Sequence, residues 1–358
     1  MKVAFRVDVS SAIGTGHLRR CLALARALMA QGDEVGFVMR DLGIDGRAMV
    51  HEAGAATIAV LPAPGMDPPA PDPVVPHWEW AQVSHEVDSE QSCAALASWQ
   101  PDIVVVDNYA FDAKWHRAVA SELGATIAVI DDLADRALDC ALVIDHTYDP
   151  DHVRKYRGVV DPATTRVLGG PSYALLGPAF GDAPRYDFRE DVRSIGVFMG
   201  GVDADGHSEA VLDAIDRAGF TGPVEVVSTS ANPNLAALRT RIEARPETTL
   251  SLDLPDLATF FAAHDVQIGA GGGASWERCC IGVPTLIVVV ADNQNAVAPQ
   301  LAADGVVALA DAPSVDAMAP ALAELIENAE KRRELAEKSR ALVDGRGAAR
   351  VAQEMRRV

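Results

Sequence analysis

Short β-branched runs alternate along this chain with amphipathic stretches of helical period, and the alternation restarts once. The first round opens with "KVAFRVD" from Lys2, continues through an apolar-periodic stretch from His17 to Gln31, and returns to "EVGFVMR" from Glu34. Further strands are predicted at Ala56–Val60, Asp102–Val106, Thr126–Ile130 and Ala141–Asp145. Strands joined through helices must pair in parallel, because a parallel neighbour needs a crossover connection. The second round opens at "SIGVFMGG" and predicts strands at Pro223–Val227, Thr249–Leu252, Val266–Gly269 and Thr285–Val290. The expectation is an α/β chain of two doubly wound, Rossmann-like domains facing a central cleft. The boundaries read as 1–168 for the first domain, 169–192 for a linker and 193–340 for the second domain. A charged helix over 341–358 is expected to pack across the hinge.

Composition narrows the function classes. With 358 residues, two domains can each bury a core of ordinary size. The hydrophobic fraction of 49% and charged fraction of 23% are those of a globular chain. A net charge of −20 argues against nucleic acid as a partner, since backbone recognition depends on Lys and Arg meeting phosphates. The longest apolar runs, such as "DIVVVDN" and "PTLIVVVAD", are strand-length and too short to span a bilayer. A strand beginning at Lys2 leaves no room for a secretion leader, so a cytoplasmic protein, a monomer or weak homodimer, is expected. Cys21, Cys93, Cys140, Cys279 and Cys280 contain no CxxC pairing, so they are read as buried thiols rather than a disulfide or zinc framework. Neither a metal nor a cofactor is expected. Six prolines between Leu61 and Val75 exclude helix and central strand there, leaving either a substrate lid or an exposed insertion.

Three Gly-rich segments carry the chemistry. In "RVDVSSAIGTGHLRRCLALARAL", Gly14, Thr15 and Gly16 stand between the first strand and the first helix. That carboxyl edge is where open α/β sheets bind ligands. The string lacks the G-x-G-x-x-G and G-K-[ST] patterns, so neither a dinucleotide fold nor a P-loop is supported. His17 at the helix start reads as a catalytic base, or as a cap. Arg6, Arg19 and Arg20 can supply the positive charge the acidic chain otherwise lacks, although some of them pair structurally. In "GAGGGASWERCCIGVPTLIVVVADNQNAVA", Gly271, Gly272 and Gly273 precede a helix that begins with Ala274 and Ser275. Free N–H groups there suit a diphosphate, and Glu277, one turn in, suits a ribose diol. Its plainer reading is a favourable charge near a helix N-terminus. "FMGGVDADG" adds Gly200 and Gly201 to the same nucleotide pocket. Asp107, Asn108 and Tyr109 end one strand and Asp131 and Asp132 another. Sugar contact or structural support is favoured over a metal site for them.

These residues resemble a family. "FRVDVSSAIGTGHLRRCLALA", "VIDDLADRALDCALVID", "LGGPSYALLGPAF" and "GGGASWERCCIGVPTLIVVVADNQ", in that order, are similar to the UDP-2,4-diacetamido-2,4,6-trideoxy-beta-L-altropyranose hydrolases of pseudaminic acid biosynthesis. The resemblance covers most of the chain, and the Glu277 segment is shared with a wider group of GT-B glycosyltransferases. It implies a GT-B fold, UDP held mainly by the second domain, and water in place of a sugar acceptor. By motif, His17 is catalytic, and Asn293, Gln294 and Asn295 lie near the sugar. Arg6, Asp8, Gly14, Thr15, Gly16, Arg20, Asn108, Tyr109, Asp131 and Asp132 complete the sugar-side set. Two places depart from the family pattern: Gly177 and Ala179 stand where an arginine and a glutamate belong, and His146 and Thr147 where a glutamine and an asparagine belong. The activity implied is hydrolysis of a UDP-linked deoxy sugar with inversion. A GT-B transferase with another acceptor is the rival, and a non-catalytic nucleotide-sugar binder is a third reading. No basic apolar helix in the first domain reads as a membrane dock, which favours the hydrolase.

Overall fold

The computed structural model describes residues 1–65, 70–291 and 294–358. The chain divides into two compact units, one made of 1–178 with 346–358 and the other of 179–345. Among the described residues no helix is long and apolar enough to cross a membrane.

The first unit holds seven parallel strands: β1 (Lys2–Val7), β2 (Glu34–Arg40), β3 (Ala56–Leu61), β4 (Ile103–Asp107), β5 (Thr126–Ile130), β6 (Leu142–Asp145) and β7 (Arg166–Gly169). Their spatial order is β3-β2-β1-β4-β5-β6-β7. The order reverses direction between β1 and β4, which makes that pair the topological switch point. Both faces of β1 are covered, so its residues sort by period two. Val3, Phe5 and Val7 join a core with the helix Gly16–Ala30. Ala4 faces a second core built on Val104, Val106, Phe111 and Trp115. The helix Gly16–Ala30 forms because Leu18, Cys21, Leu22, Ala25 and Leu28 recur at helical spacing and all are buried. Gly32 at φ +85° closes its C-terminal turn.

The C-terminal helix Gly347–Met355 belongs to this unit and buries Ala348, Val351, Ala352 and Met355 in the core that also holds Leu24 and Leu28. Arg356 seals its end against Asp33 at 2.6 Å. Gly347 permits the docking, since a Cβ there would stand 2.2 Å from the Ala174 carbonyl oxygen. Gly347→Ala is therefore expected to lower stability by about 1–3 kcal/mol, the ordinary cost of overpacking against backbone. Urea unfolding against the parent protein measures it.

The second unit repeats the plan with β8 (Ile195–Phe198), β9 (Val224–Ser228), β10 (Thr248–Leu252), β11 (Val266–Ala270), β12 (Thr285–Val288) and β13 (Ala308–Ala310). All pairings are parallel in the order β10-β9-β8-β11-β12-β13, with the switch between β8 and β11. Its core gathers Val197, Val226, Ile268 and Leu286 with Leu212, Ile215 and Leu322 from the flanking helices. The buried carboxylate of Asp265 pins the chain entering β8, accepting from the backbone N–H of Arg193 at 2.7 Å and from Tyr186 and Arg189. Each unit thus has one switch-point edge, the kind of edge at which open α/β sheets take ligands.

Candidate active site

In the first unit, β1 and β4 run in register with Val7 opposite Asp107, so the chain leaving β1 emerges beside the Asp107 carboxylate. A tight turn from Ser10 to Gly14, closed by a 2.8 Å backbone hydrogen bond, then starts the helix at Gly16. Gly14 is required there, because its φ of +74° is a left-handed conformation. His17 and Arg20, one helical turn apart, both face Asp107. Nδ1 of His17 lies 2.6 Å from Asp107 Oδ1. Arg20 grips the same carboxylate bidentately, Nε at 2.7 Å and Nη2 at 2.6 Å.

Burial alone would raise the Asp107 pKa, but the Arg20 guanidinium and then His17 outweigh it and hold the carboxyl well below its ordinary range. Arg20 Nη2 also lies 3.1 Å from His17 Nδ1, and a guanidinium can only donate. The shorter contact to an ionised carboxylate decides the tautomer: Nδ1 carries the proton and donates to Asp107. In the neutral imidazole the other ring nitrogen, Nε2, is then the acceptor, on a side chain that keeps 12% of its surface exposed. This is the geometry of an oriented general base.

A second ring of groups surrounds the pair. Arg20 Nη1 reaches Asp132 at 3.1 Å, and the Tyr109 hydroxyl donates to the other oxygen of Asp132. Burial would raise the Asp132 pKa, yet Arg20 keeps it lowered. The rings of Tyr109 and Trp80 stand 4.9 and 5.4 Å from the His17 ring and 5.0 Å from each other. His77 joins them 5.2 Å from Trp80. His146, after β6, is buried, and that burial followed by the Arg20 charge pushes its pKa down to about 4, so it is neutral near pH 7. In the sequence His146 stands out only as a departure from the family pattern, whereas Trp80 and His77 escape a motif search. Only the aromatic string "HWEW" after the Pro-rich segment, whose residues 66–69 lie outside the described residues, hints at them.

Four residues expected to meet the sugar do not reach a surface. Arg6, Asp8, Asn108 and Asp131 are each at most 2% exposed. Arg6 pairs with Asp8 at 2.6 Å and Asp88 at 2.6 Å, and Asn108 donates to Asp8 at 2.9 Å. Asp131 turns away from its neighbour Asp132 to accept from Arg136 at 2.7 Å, so the two adjacent aspartates do not share a site. Buried charge must be compensated, and these side chains compensate one another below the site. Gly14, Thr15, Gly16, Arg20, Tyr109 and Asp132 are the expected residues that the fold gathers around His17.

In the second unit, Gly269 on β11 pairs with Phe198 on β8, which sets the loops after the two strands side by side. Gly200 at φ +109° and Gly201 follow β8. Gly271, Gly272 and Gly273 follow β11 and lead into the helix Ala274–Ile281. Open space lies where a Cβ of Gly272 or Gly273 would be. The first N–H groups of a helix lack intrahelical partners, so this exposed backbone can receive an anion. Glu277 stands half-buried in the first turn. Ser275 is buried and its hydroxyl accepts from Arg278, and the Gln294 carboxamide accepts from the N–H groups of Gly271 and Val290. Those two side chains brace the loop. Asn295 is exposed, and Asn293 lies outside the described residues.

No protein-family model matches the chain. It is 27% identical over 282 residues to the spore coat polysaccharide biosynthesis protein SpsG of Bacillus subtilis, across 77% of this chain and 82% of that one. Among solved structures it is similar to Acinetobacter baumannii MurG, with a TM-score of 0.68 at 15% identity over 100% of both chains. It is also similar to a UDP-glucosyltransferase from Polygonum tinctorium, with a TM-score of 0.71 at 15% identity over 99% of this chain and 98% of that one. A third similar structure is the S. aureus MnaA–UDP co-structure, with a TM-score of 0.68 at 13% identity over 99% and 96%. The two parallel-sheet, Rossmann-like units are those of the GT-B fold.

Proposed function

We propose that the protein hydrolyses a UDP-linked 2,4-diacetamido-2,4,6-trideoxy hexose to UDP and the free sugar, by attack of water at C1 with inversion. The observation that carries the reading is the His17–Asp107 pair held by Arg20. An oriented imidazole beside a sheet edge is suited to deprotonating a small nucleophile. In this reading Nε2 of His17 takes a proton from water as the water oxygen bonds to C1. The bond from C1 to the diphosphate oxygen breaks, and UDP departs with the electron pair. Asp107 stays ionised throughout and stabilises the imidazolium that forms. The diphosphate meets the N–H groups of Gly272, Gly273 and Ala274, Gly200 and Gly201 leave room for it, and Glu277 accepts from the ribose diol. Tyr109 and Asp132, beside His17, are offered to the sugar.

One observation favours a second reading, transfer of the sugar to an acceptor other than water. SpsG is named for polysaccharide biosynthesis, and the similar structures include a UDP-glucosyltransferase. A shared fold does not separate the two activities. Incubation of the purified protein with UDP-N-acetylated deoxy sugars in ¹⁸O-water, without acceptor, does so by mass spectrometry. Hydrolysis predicts UDP release with the label in the sugar. Release that begins only when an acceptor extract is added makes the protein a transferase.

A further inference from the structure

Arg278 is a buried cation that makes no ion pair among the described residues. Its side chain is 0% exposed, and among the described residues no carboxylate lies within ion-pair distance. Nη2 donates to the Ala270 carbonyl at 2.7 Å and approaches the Ser275 hydroxyl at 3.3 Å. Among the described residues Nε and Nη1 find no acceptor. The Phe261 ring lies 5.8 Å from the guanidinium carbon, and Cys279 and then Glu277 act on the charge only from beyond ion-pair distance. Arg6 by contrast has two aspartates and Arg136 has Asp131, and Arg332, equally buried and without a carboxylate in ion-pair distance among the described residues, donates to three backbone carbonyls, those of Leu325, Ile326 and Glu190. Sequence and packing make room for Arg278, because a Cβ on Gly269 would lie 2.1 Å from Nη1. Burial, the largest influence, lowers its pKa only to about 10, so the group is a cation near pH 7.

An uncompensated buried cation is costly, and stability alone gives no reason to keep it. Its position supplies one. Ala270 and Ser275, the two groups it touches, bracket the Gly271–Ala274 backbone at the end of β11. Resting on the nucleotide reading of that segment, we propose that Arg278 is a positioning residue whose buried charge completes the diphosphate site from beneath. It holds the loop through Ala270 and Ser275 and adds a positive field that solvent does not screen. The counter-ion is then the ligand, a nucleoside diphosphate, and a bare nucleoside gains little from it.

The test is calorimetric titration of UDP and uridine into the parent protein, Arg278→Gln and Arg278→Met, each first verified as folded by circular dichroism. The glutamine keeps a donor for Ala270, and the methionine keeps volume alone. Both neutral variants are expected to bind UDP roughly tenfold or more weakly, with uridine changed little, as loss of one weakly screened charge predicts. A variant with unaltered UDP affinity overturns the proposal. So does glutamine behaving as the parent while methionine does not, which would mean that the hydrogen bond matters and the charge does not. Equal losses for UDP and uridine, or failure of both variants to fold, would reduce Arg278 to a packing residue. A parent protein that binds no UDP sinks the nucleotide reading itself and is told apart by that first titration.

Discussion

Replacing His17 by alanine will lower the rate of UDP release by roughly 10²- to 10⁴-fold, the usual contribution of a positioned base. The affinity for UDP will stay close to that of the parent, because the Gly271–Glu277 segment proposed to hold it lies in the other unit. Steady-state turnover and UDP titration on the same preparation separate the two effects. Asp107→Asn will act in the same direction. The amide keeps the shape of the carboxylate but cannot hold the Nδ1–H tautomer or the imidazolium, and Arg20 loses its bidentate partner. A His17→Ala variant with near-parental turnover would remove the general-base assignment.

Replacing Asp88 by alanine will destabilise the protein by about 3–5 kcal/mol, the range measured when one member of a buried ion network is removed. This carboxylate is fully buried and accepts from Arg6 Nη2 at 2.6 Å, Arg40 Nη2 at 2.7 Å and Trp115 Nε1 at 3.1 Å. Without it Arg40 has no ion-pair partner among the described residues, and Arg6 keeps only Asp8. Burial would raise the Asp88 pKa, but Arg6 followed by Arg40 keeps it below the ordinary carboxylate value. A carboxyl depressed on folding stabilises the native state fully above its unfolded pKa, and that stability is lost as pH falls through the folded value. The Asp88→Ala variant will therefore show a lower urea midpoint at pH 7 and a gap from the parent that narrows in acid. An unchanged midpoint at pH 7 contradicts the account.

Most of the sheet was legible because its central strands are buried on both faces and read as continuous β-branched runs, as "IVVVD" in β4 does. The edge strands β7 and β13 carry no such signal. They are four and three residues long, "RVLG" and "ALA", too short for a period to register, and pairing with β6 and β12 makes them strands. The helical character of the tail could be read from its own residues. Its burial beside the helix Gly16–Ala30 depends on Gly347 passing the Ala174 carbonyl, a contact no local pattern encodes.

The site divides the same way. Gly14, Gly16 and His17 were visible because a Gly-rich turn between strand and helix is a local signal, and the Gly271–Glu277 segment was visible for the same reason. The choice among polar strand ends was not. Asp131 and Asp132 are adjacent, yet one faces Arg136 in the interior and the other faces Arg20. Arg6 resembled a ligand residue until Asp88, 82 positions away, was seen to neutralise it. His17 and Asp107 are separated by 90 positions and meet only because β1 and β4 pair in register. Periodicity and turn chemistry act over a few residues, so the sequence alone determined the elements, their alternation and the Gly-rich turns. Which charges met, which were buried in compensation and which faced outward was decided by long-range strand pairing, because Coulomb and desolvation energies depend on distances that exist only once the sheets are assembled.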